Sequence, residues 1–477
     1  MKILYVASEA APFSTSGGLG DVMGALPSAI VDSHDFDVGV VLPLYGTMNK
    51  SFKDIMKKTY DISFNLSWRS TGASVYTIQK DKITYYFIEN SYYFDRPNLY
   101  GEYDDAERFA FFSLAVVEFM LKTGNIPDVL HANDWQTALT VIYLKTKHAS
   151  NPALSLIKTL YTIHNMEYQG KYDIAMLGDV FSLDDKFRNA LEYDGCINLT
   201  KGAIVLSDRV STVSPNYAKE LRYDFFSFGL SDIVRASEGK IFGVINGIDY
   251  SCFSPDVGGD IYAPYNKRGV KSGKAKNKAA LQKELGLPEI SDAPLFAMIT
   301  RLVHGKGIDL VLHIADELLR DNIQLVVLGT GDAKYENAFR NLESRHSNIR
   351  AIIKFDRAFA KKIYAAADIF IMPSKSEPCG LAQMIACAYG TVPIVRAVGG
   401  LYDSIKDNKN GFVFDNYNAH DMLAKIREAI SLFKNKGEWM TLVRGALSSD
   451  FSWDKSAKEY VRIYEEMIGF GEKTIDN

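Results

Sequence analysis

Lys2-Ile-Leu-Tyr-Val-Ala-Ser8 is soon followed by Ser16-Gly-Gly-Leu-Gly-Asp-Val22 and an amphipathic stretch at Val22, Leu26, Ala29 and Ile30. This reads as strand, glycine turn and helix. The pattern returns at Leu295-Phe-Ala-Met-Ile-Thr300, which runs into Arg301-Leu-Val-His-Gly-Lys-Gly307. Neither apolar run alternates with polar residues, so each predicts a strand covered by helices on both faces. From the first, similar runs recur at 37–43, 83–89, 129–133, 159–164, 209–214 and 241–246. The rhythm then breaks over 254–292, where Pro, Gly and a basic run (Lys267, Arg268, Lys271, Lys274, Lys276, Lys278) predict a solvated loop leading into a helix over 279–285. It restarts at 295–300 and continues at 324–328, 350–354, 369–372, 392–396 and 412–414. Two series of alternating strands and helices imply an α/β chain of two doubly wound parallel sheets, with an expected cleft outside the carboxyl ends of the strands. The closing segment has Ala457, Tyr460, Val461, Tyr464 and Met467 at helical spacing, an apolar stripe that must cover a core.

The 477 residues agree with this division, since domains average about 150 residues. Apolar residues are 47% and charged residues 23%, which excludes a disordered or coiled-coil chain. Lys and Arg number 54 against 58 Asp and Glu; a net charge of −4 argues against gripping nucleic acid or an anionic membrane. No apolar run is long enough to span a bilayer, and the run before Glu9 is too short for a signal-peptide core. Cys196, Cys252, Cys379 and Cys387 are scattered, which predicts neither a zinc site nor a disulfide framework. A cytoplasmic location is expected.

Three turns carry chemistry. Gly17 and Gly18 open a helix directly after the first strand, where backbone approaches a ligand closely and free N–H groups meet an anion. Their spacing fits neither a dinucleotide fingerprint nor a P-loop. The same pair also serves as a plain strand-to-helix turn. Arg301 and Lys306 stand after the first strand of the second series, where two cations suit a diphosphate and equally suit a solvated surface. In Met372-Pro-Ser-Lys-Ser-Glu-Pro-Cys-Gly-Leu-Ala382, Glu377 can accept from sugar hydroxyls, or can simply cap the helix that follows. Asp134, Trp135 and His164 also fall at strand ends, and Asn246 lies in an Asn-Gly turn. The aromatic cluster Tyr92, Tyr93, Phe94, Tyr100 and Tyr103 suits sugar rings or a core, with core the default.

Along essentially its whole length the chain resembles one family, the bacterial glycogen synthases and plant starch synthases, retaining glycosyltransferases of the GT-B fold. The resemblance is carried by PFSTSGGLGDVMGALP (12–27), LHANDWQTAL (130–139), YTIHNMEYQG (161–170), VSTVSPNYAKE (210–220), VINGID (244–249) and ITRLVHGKGIDL (299–310). It continues in MPSKSEPCGLAQMIACAYGTVPIVRAVGGL (372–401) and FSWDKSAKEYVRIY (451–464). It implies transfer of glucose from ADP-glucose to the non-reducing end of an α-1,4-glucan, with no cofactor and no metal, and no nucleic-acid or membrane partner. It also implies two Rossmann-like domains facing a cleft. The acceptor-side domain would be 1–247 with a returning helix 456–477 packed on it, and the nucleotide-sugar domain 248–455.

Carried over by resemblance, Gly17 and Gly18 lie beside the diphosphate and glucose, Arg301 and Lys306 clamp the diphosphate, and Glu377, Cys379, Gly380 and Leu381 form the sugar- and phosphate-binding turn. Gly399 and Gly400 make a second turn over the glucose. His164, Asp134 and Asn246 hold sugar or acceptor, with Asp21 and Asn165 beside them in the same motifs. His164, Arg301, Lys306 and Glu377 form the catalytic set. Phe355 stands where the family commonly has a tyrosine flanking the adenine. One departure is marked: the family lysine of Lys-x-Gly-Gly-Leu is Thr15 here, which removes a cation beside the diphosphate, and Val398 stands where threonine is frequent. That departure leaves three readings: an ADP-glucose-dependent synthase, an enzyme using another nucleotide-glucose donor, or a weakly active glucan-binding relative. No carboxylate in these motifs is an evident nucleophile, so same-face substitution is expected, the leaving diphosphate helping to deprotonate the acceptor.

Overall fold

The computed structural model describes residues 1–256 and 259–469. They form two compact units: Met1–Val244 with the chain from Trp453 on, and Ile245–Ser452. Both joints fall a few residues before 247 and 455. Ile248 bridges to Ser452 and its N–H donates to Phe451 O at 2.8 Å, which stitches both segments into the second unit. The part of the expected returning helix beyond 469 lies outside the described residues.

The strands of the first unit are β1 (Lys2–Val6), β2 (Asp37–Pro43), β3 (Lys57–Leu66), β4 (Arg69–Lys80), β5 (Ile83–Glu89), β6 (Val129–Asn133) and β7 (Lys158–Ile163). After them come β8 (Lys171–Tyr172), β9 (Glu192–Tyr193), β10 (Cys196–Asn198), β11 (Arg209–Thr212) and β12 (Ile241–Gly243). Nine of them form one sheet in the order β12-β11-β7-β6-β1-β2-β5-β4-β3, and β8-β10-β9 form a small second sheet. Within β1, Ile3 and Tyr5 enter one core cluster while Leu4 and Val6 enter the other, so burial on both faces explains the continuous apolar run.

The sheet is not wholly parallel, which corrects the expectation. β3 and β4 form an antiparallel hairpin that extends the parallel part through β5. In β3 only Ile62, Phe64 and Leu66 are buried, every second residue. This half-solvated alternation differs from the fully buried runs that signalled the parallel strands.

Strands β13 (Leu295–Ile299), β14 (Gln324–Leu328), β15 (Ile349–Ile352), β16 (Ile369–Met372), β17 (Val392–Arg396) and β18 (Phe412–Phe414) make the sheet of the second unit. Their order is β15-β14-β13-β16-β17-β18, every pairing parallel. This is the doubly wound order, with its reversal between β13 and β16. The equivalent reversal in the first unit lies between β1 and β6.

The basic run is a second correction. Helix Val270–Glu284 absorbs most of it, and four-residue steps place Lys274 and Lys278 on the buried face with Val270 and Leu281. Their stems pack as hydrocarbon while the ammonium groups find partners. Lys274 Nζ donates to Tyr364 O, Ala365 O, Tyr389 O and Thr391 Oγ1, and burial pulls its pKa down to about 7. Lys278 Nζ pairs with Asp368 Oδ2 at 2.7 Å.

Helix Trp453–Ile468 covers the first unit against helix Gly18–Ser33, in one cluster with Trp453, Ala457, Tyr460, Val461, Ile463 and Tyr464 buried. Burying a side chain such as Val461 or Ile463 stabilises by about 1.5–3 kcal/mol. The Tyr464 hydroxyl is the polar centre of this contact, 2.8 Å from Tyr5 Oη and 2.8 Å from His131 Nδ1. His131 Nε2 meets Thr162 Oγ1 at 2.5 Å, and Thr162 Oγ1 meets Ser211 Oγ, so a buried chain of hydrogen bonds crosses the sheet from the closing helix. Tyr464→Phe leaves two of these groups unpaired and is expected to cost about 1–3 kcal/mol. Tyr464→Ala adds a cavity and should approach about 3–5 kcal/mol, the range for a large aromatic. Urea unfolding midpoints order the two variants.

Candidate active site

In the first unit the loops after β1, β6 and β7 stand side by side because those strands are hydrogen-bonded neighbours. Asn133, at the end of β6, is fully buried; its Nδ2 donates to Val6 O and His131 O, which fixes its Oδ1 as an acceptor. His164 Nε2 lies 3.0 Å from that oxygen, so Nε2 carries the proton and Nδ1 keeps its lone pair. Burial pulls the His164 pKa down to about 3, and the ring is a neutral acceptor at physiological pH.

Asp134 has φ 58° and opens helix Trp135–Lys145. Its Oδ1 accepts from His164 N at 2.7 Å, and burial lifts its carboxyl to about 7, with the Glu9 charge adding to the rise. Glu9, buried, accepts from both the N–H and hydroxyl of Ser16, which pins the glycine turn to β1. Around Gly17 and Gly18 a Cβ would meet nothing within 4 Å. Packing does not demand glycine there; the turn faces open space. Gly20 differs, since a Cβ would lie 2.5 Å from Thr15 Oγ1, so the Thr15 side chain rests against the helix start. Asp21 stands in the first turn of that helix, where a carboxylate suits the dipole. The Asn165 side chain is committed locally, accepting from Glu167 N.

In the second unit β13 and β16 are adjacent and parallel, so residues 300–307 and 373–381 emerge together. Lys306 Nζ donates to Glu377 Oε2 at 2.6 Å, and Ser374 Oγ donates to the same oxygen at 2.9 Å. Glu377 is 7% exposed. The two residues read from the sequence as separate sugar and phosphate contacts are one partly buried ion pair. Lys306 therefore carries little net charge into the site, and Arg301, exposed, makes no ion pair among the described residues. Gly307, at φ 71°, opens helix Ile308–Leu318 without a side-chain cap, and a Cβ there would strike Pro373 O at 2.1 Å.

Gly399 and Gly400 pack on the Glu377 turn itself: their Cβ positions fall 1.9 Å from Glu377 O and 2.2 Å from Cys379 O. The Gly400 N–H donates to Glu377 O. Gln383 Nε2 braces the same turn through Cys379 O and Gly380 O, and Leu381 stands at the start of helix Ala382–Ala388. Burial pushes the Cys379 thiol up to about 12, so it is a packing group, and the Asn246 N–H donates to its sulfur. Asn246 Oδ1 is buried with no hydrogen-bond partner among the described residues. Phe355 follows β15 at the sheet edge and is 81% exposed, a ring available for stacking. Of the aromatic cluster, Tyr93 and Phe94 are core, Tyr92 and Tyr103 are exposed, and Tyr100 hydrogen-bonds Ser8.

Glu9 and Asn133 in the first unit orient Ser16 and His164, Ser374 in the second orients Glu377, and all three were missed by sequence reading. Each lies within or beside a motif that was read, in Ser8-Glu9, His131-Ala-Asn133 and Pro373-Ser374. Their signal was a polar residue at the buried end of an apolar strand. Among the described residues there is no cluster of acidic, His or Cys groups suited to a metal ion, the four cysteines are free, and no helix is long and apolar enough to cross a membrane.

Residues 2–236 match the family described as starch synthase catalytic domain, and residues 282–438 match glycosyl transferases group 1. A glycogen synthase of Ligilactobacillus salivarius is 43% identical, over 98% of this chain and 100% of that protein. One from Bacillus cereus (strain ATCC 10987) is 41% identical over the same shares. Among solved structures, the catalytic domain of starch synthase IV from Arabidopsis thaliana, bound to ADP and acarbose, has a TM-score of 0.89 at 34% identity. The match covers 98% of this chain and 99% of that one. A sucrose-phosphate synthase from Thermosynechococcus elongatus shares the fold, with a TM-score of 0.62 at 16% identity over 98% and 100%.

The raised Asp134 pKa has a measurable sign. The native state keeps this proton where the unfolded chain has lost it, so the stability it contributes is complete below the ordinary value of 3.8 and is lost as pH rises through about 7. Asp134→Asn keeps an acceptor oxygen without the charge. It should raise the thermal unfolding midpoint at pH 8 and leave it nearly unchanged at pH 3.5, as read by calorimetry at the two values.

Proposed function

We propose, for a chain that belongs to the family of glycogen and starch synthases, that its second unit holds a nucleoside-diphosphate glucose and its first unit the accepting glucan. The chain is a glycosyltransferase of the GT-B fold. The donor in this reading is ADP-glucose and the acceptor the non-reducing end of an α-1,4-glucan, with no cofactor. The observation that carries it is the group gathered at the reversal of the second sheet: exposed Arg301, the Lys306–Glu377 pair and the uncapped helix start at Gly307. These are a bidentate cation, a polarised donor and oriented N–H groups, the equipment for a diphosphate. Phe355 offers the base a ring, and Asn246 Oδ1 offers a sugar hydroxyl an acceptor.

Glu377 is committed to orienting its neighbours in this arrangement, since its Oε2 accepts from Lys306 Nζ and Ser374 Oγ. Double displacement needs a free carboxylate against the anomeric carbon. Same-face substitution needs none: the C1–O bond to the diphosphate breaks, an acceptor hydroxyl attacks from the same side, and its proton passes to a diphosphate oxygen. Stabilising charge on the departing diphosphate is then the main catalytic demand. Glu377 serves by aiming Lys306. His164 Nδ1, unprotonated, accepts from a glucose hydroxyl.

A nucleotide panel with labelled glucose and a glycogen acceptor tests the reading; label incorporated from ADP-glucose supports it, and incorporation from UDP-glucose alone would overturn the donor assignment. Arg301→Ala and Lys306→Ala are each expected to lower kcat about 10²–10³-fold, the cost of removing one donor to a developing oxyanion, with glucan KM little changed. Thr15→Lys restores a cation at an exposed position and should tighten ADP-glucose binding by about 1 kcal/mol, roughly fivefold, in calorimetric titration.

A further inference from the structure

Arg396 closes strand β17 and turns its guanidinium toward the loop that follows β16, its parallel neighbour. Nε donates to Ser374 O at 3.0 Å and Nη2 donates to Lys375 O at 2.7 Å. Carbonyls of successive residues thus share one planar fork, which an ammonium, a point charge, cannot reproduce. The base of the fork is itself held, since Arg396 lies in register with Phe414 of β18 and Val395 with Met372 of β16. The residues assigned above to donor or diphosphate do not include it.

The clasped peptide belongs to a closed ring. Lys375 N–H donates to Gly305 O at 2.9 Å, and Gly305 directly precedes Lys306. Lys306 Nζ donates to Glu377 Oε2, and Ser374 Oγ donates to that same oxygen. The path runs from Gly305 through Lys306, Glu377, Ser374 and Lys375 back to Gly305. Ser374 is fully buried and Glu377 nearly so, which leaves this side of the ring little room to shift. Lys306 has a flexible four-carbon stem, so its ammonium stands where Glu377 holds it. The guanidinium also reaches the far side of Lys306. It lies over the Tyr417 ring, 5.6 Å from the centroid, and Tyr417 Oη donates to Asp309 Oδ1 at 2.6 Å. Asp309 is in the first turn of helix Ile308–Leu318. One side chain from β17 therefore braces both flanks of Lys306, the Gly305 turn before it and the helix after it.

The geometry points to Arg396 as a positioning residue for glucosyl transfer: by holding the Ser374–Lys375 peptide it sets, through Glu377, where the Lys306 ammonium stands. With two of its nitrogens turned to backbone, it acts through Lys306. A misplacement of about 1 Å can cost about 10²-fold in rate, so a brace of this kind is felt in turnover. The assignment rests on the glucosyl-transfer reading above and adds what aims its cation.

The test compares wild type with Arg396→Lys and Arg396→Gln, each alone and combined with Lys306→Ala. Two replacements are used so that one that failed to fold would leave the other to decide. Each alone should lower kcat about tenfold with the glucan KM unchanged, since neither can clasp two carbonyls in one plane. In the Lys306→Ala background neither should lower kcat further, because the group being aimed is gone. An equal fall in both backgrounds is what a merely structural role gives, and it would overturn the assignment. Unchanged kcat in the single variants would overturn it too. A donor-free arm follows hydrogen exchange of the Lys375 amide, which should quicken about tenfold in either variant; exchange at the wild-type rate would overturn the brace. If wild type transfers glucose from no nucleotide donor, the glucosyl-transfer reading fails instead, and the exchange arm still decides whether Arg396 holds the turn.

Discussion

Parallel pairing of β1 with β6 and of β13 with β16 is the constraint on which the rest depends. Parallel neighbours deliver their carboxyl ends to the same edge, so loops far apart in sequence emerge as a set. Lys306 and Glu377 are 71 residues apart and 2.6 Å from each other for this reason alone. Asn133 and His164 meet by the same rule one strand further along, across β6 and β7. The sheet order decides which side chains share a site, and the glycines decide how close the loops come. Gly307 against Pro373 and Gly399 against Glu377 are approaches at which any side chain would collide.

The strands of the doubly wound sheets were legible because burial on both faces writes a continuous apolar run. Seven of them, 37–43, 83–89, 129–133, 324–328, 369–372, 392–396 and 412–414, lie where the runs placed them. The hairpin β3–β4 was illegible for the opposite reason: one face is wet, and Lys57-Lys-Thr-Tyr-Asp61 looks like a loop until its pairing is known. Lys274 and Lys278 misled in another way. A basic run reads as solvated, because nothing in one sequence reveals that carbonyls of Tyr364, Ala365 and Tyr389 await an ammonium.

Site residues were legible as types and positions, not as pairings. Two cations and a carboxylate at strand ends were readable from the sequence, but whether a lysine faces open space or a glutamate is a property of the folded edge. The pairing alters the electrostatics of the second unit's edge: with Lys306 largely neutralised by Glu377, Arg301 carries much of the unbalanced positive charge there.

Closure of the first core by helix Trp453–Ile468 has a consequence for biosynthesis. β1 and β6 are made well before the closing helix, yet Tyr5 and His131 find their hydroxyl partner only when Tyr464 has been made. Residues 245–452 complete their own unit before that moment. During translation the later-made unit is thus the earlier to finish, and the amino-terminal one waits with an apolar face uncovered, holding the surface that helix Gly18–Ser33 will share with the closing helix. A nascent chain stalled before residue 453 leaves that face uncovered, and emergence of helix Trp453–Ile468 is the step that buries it.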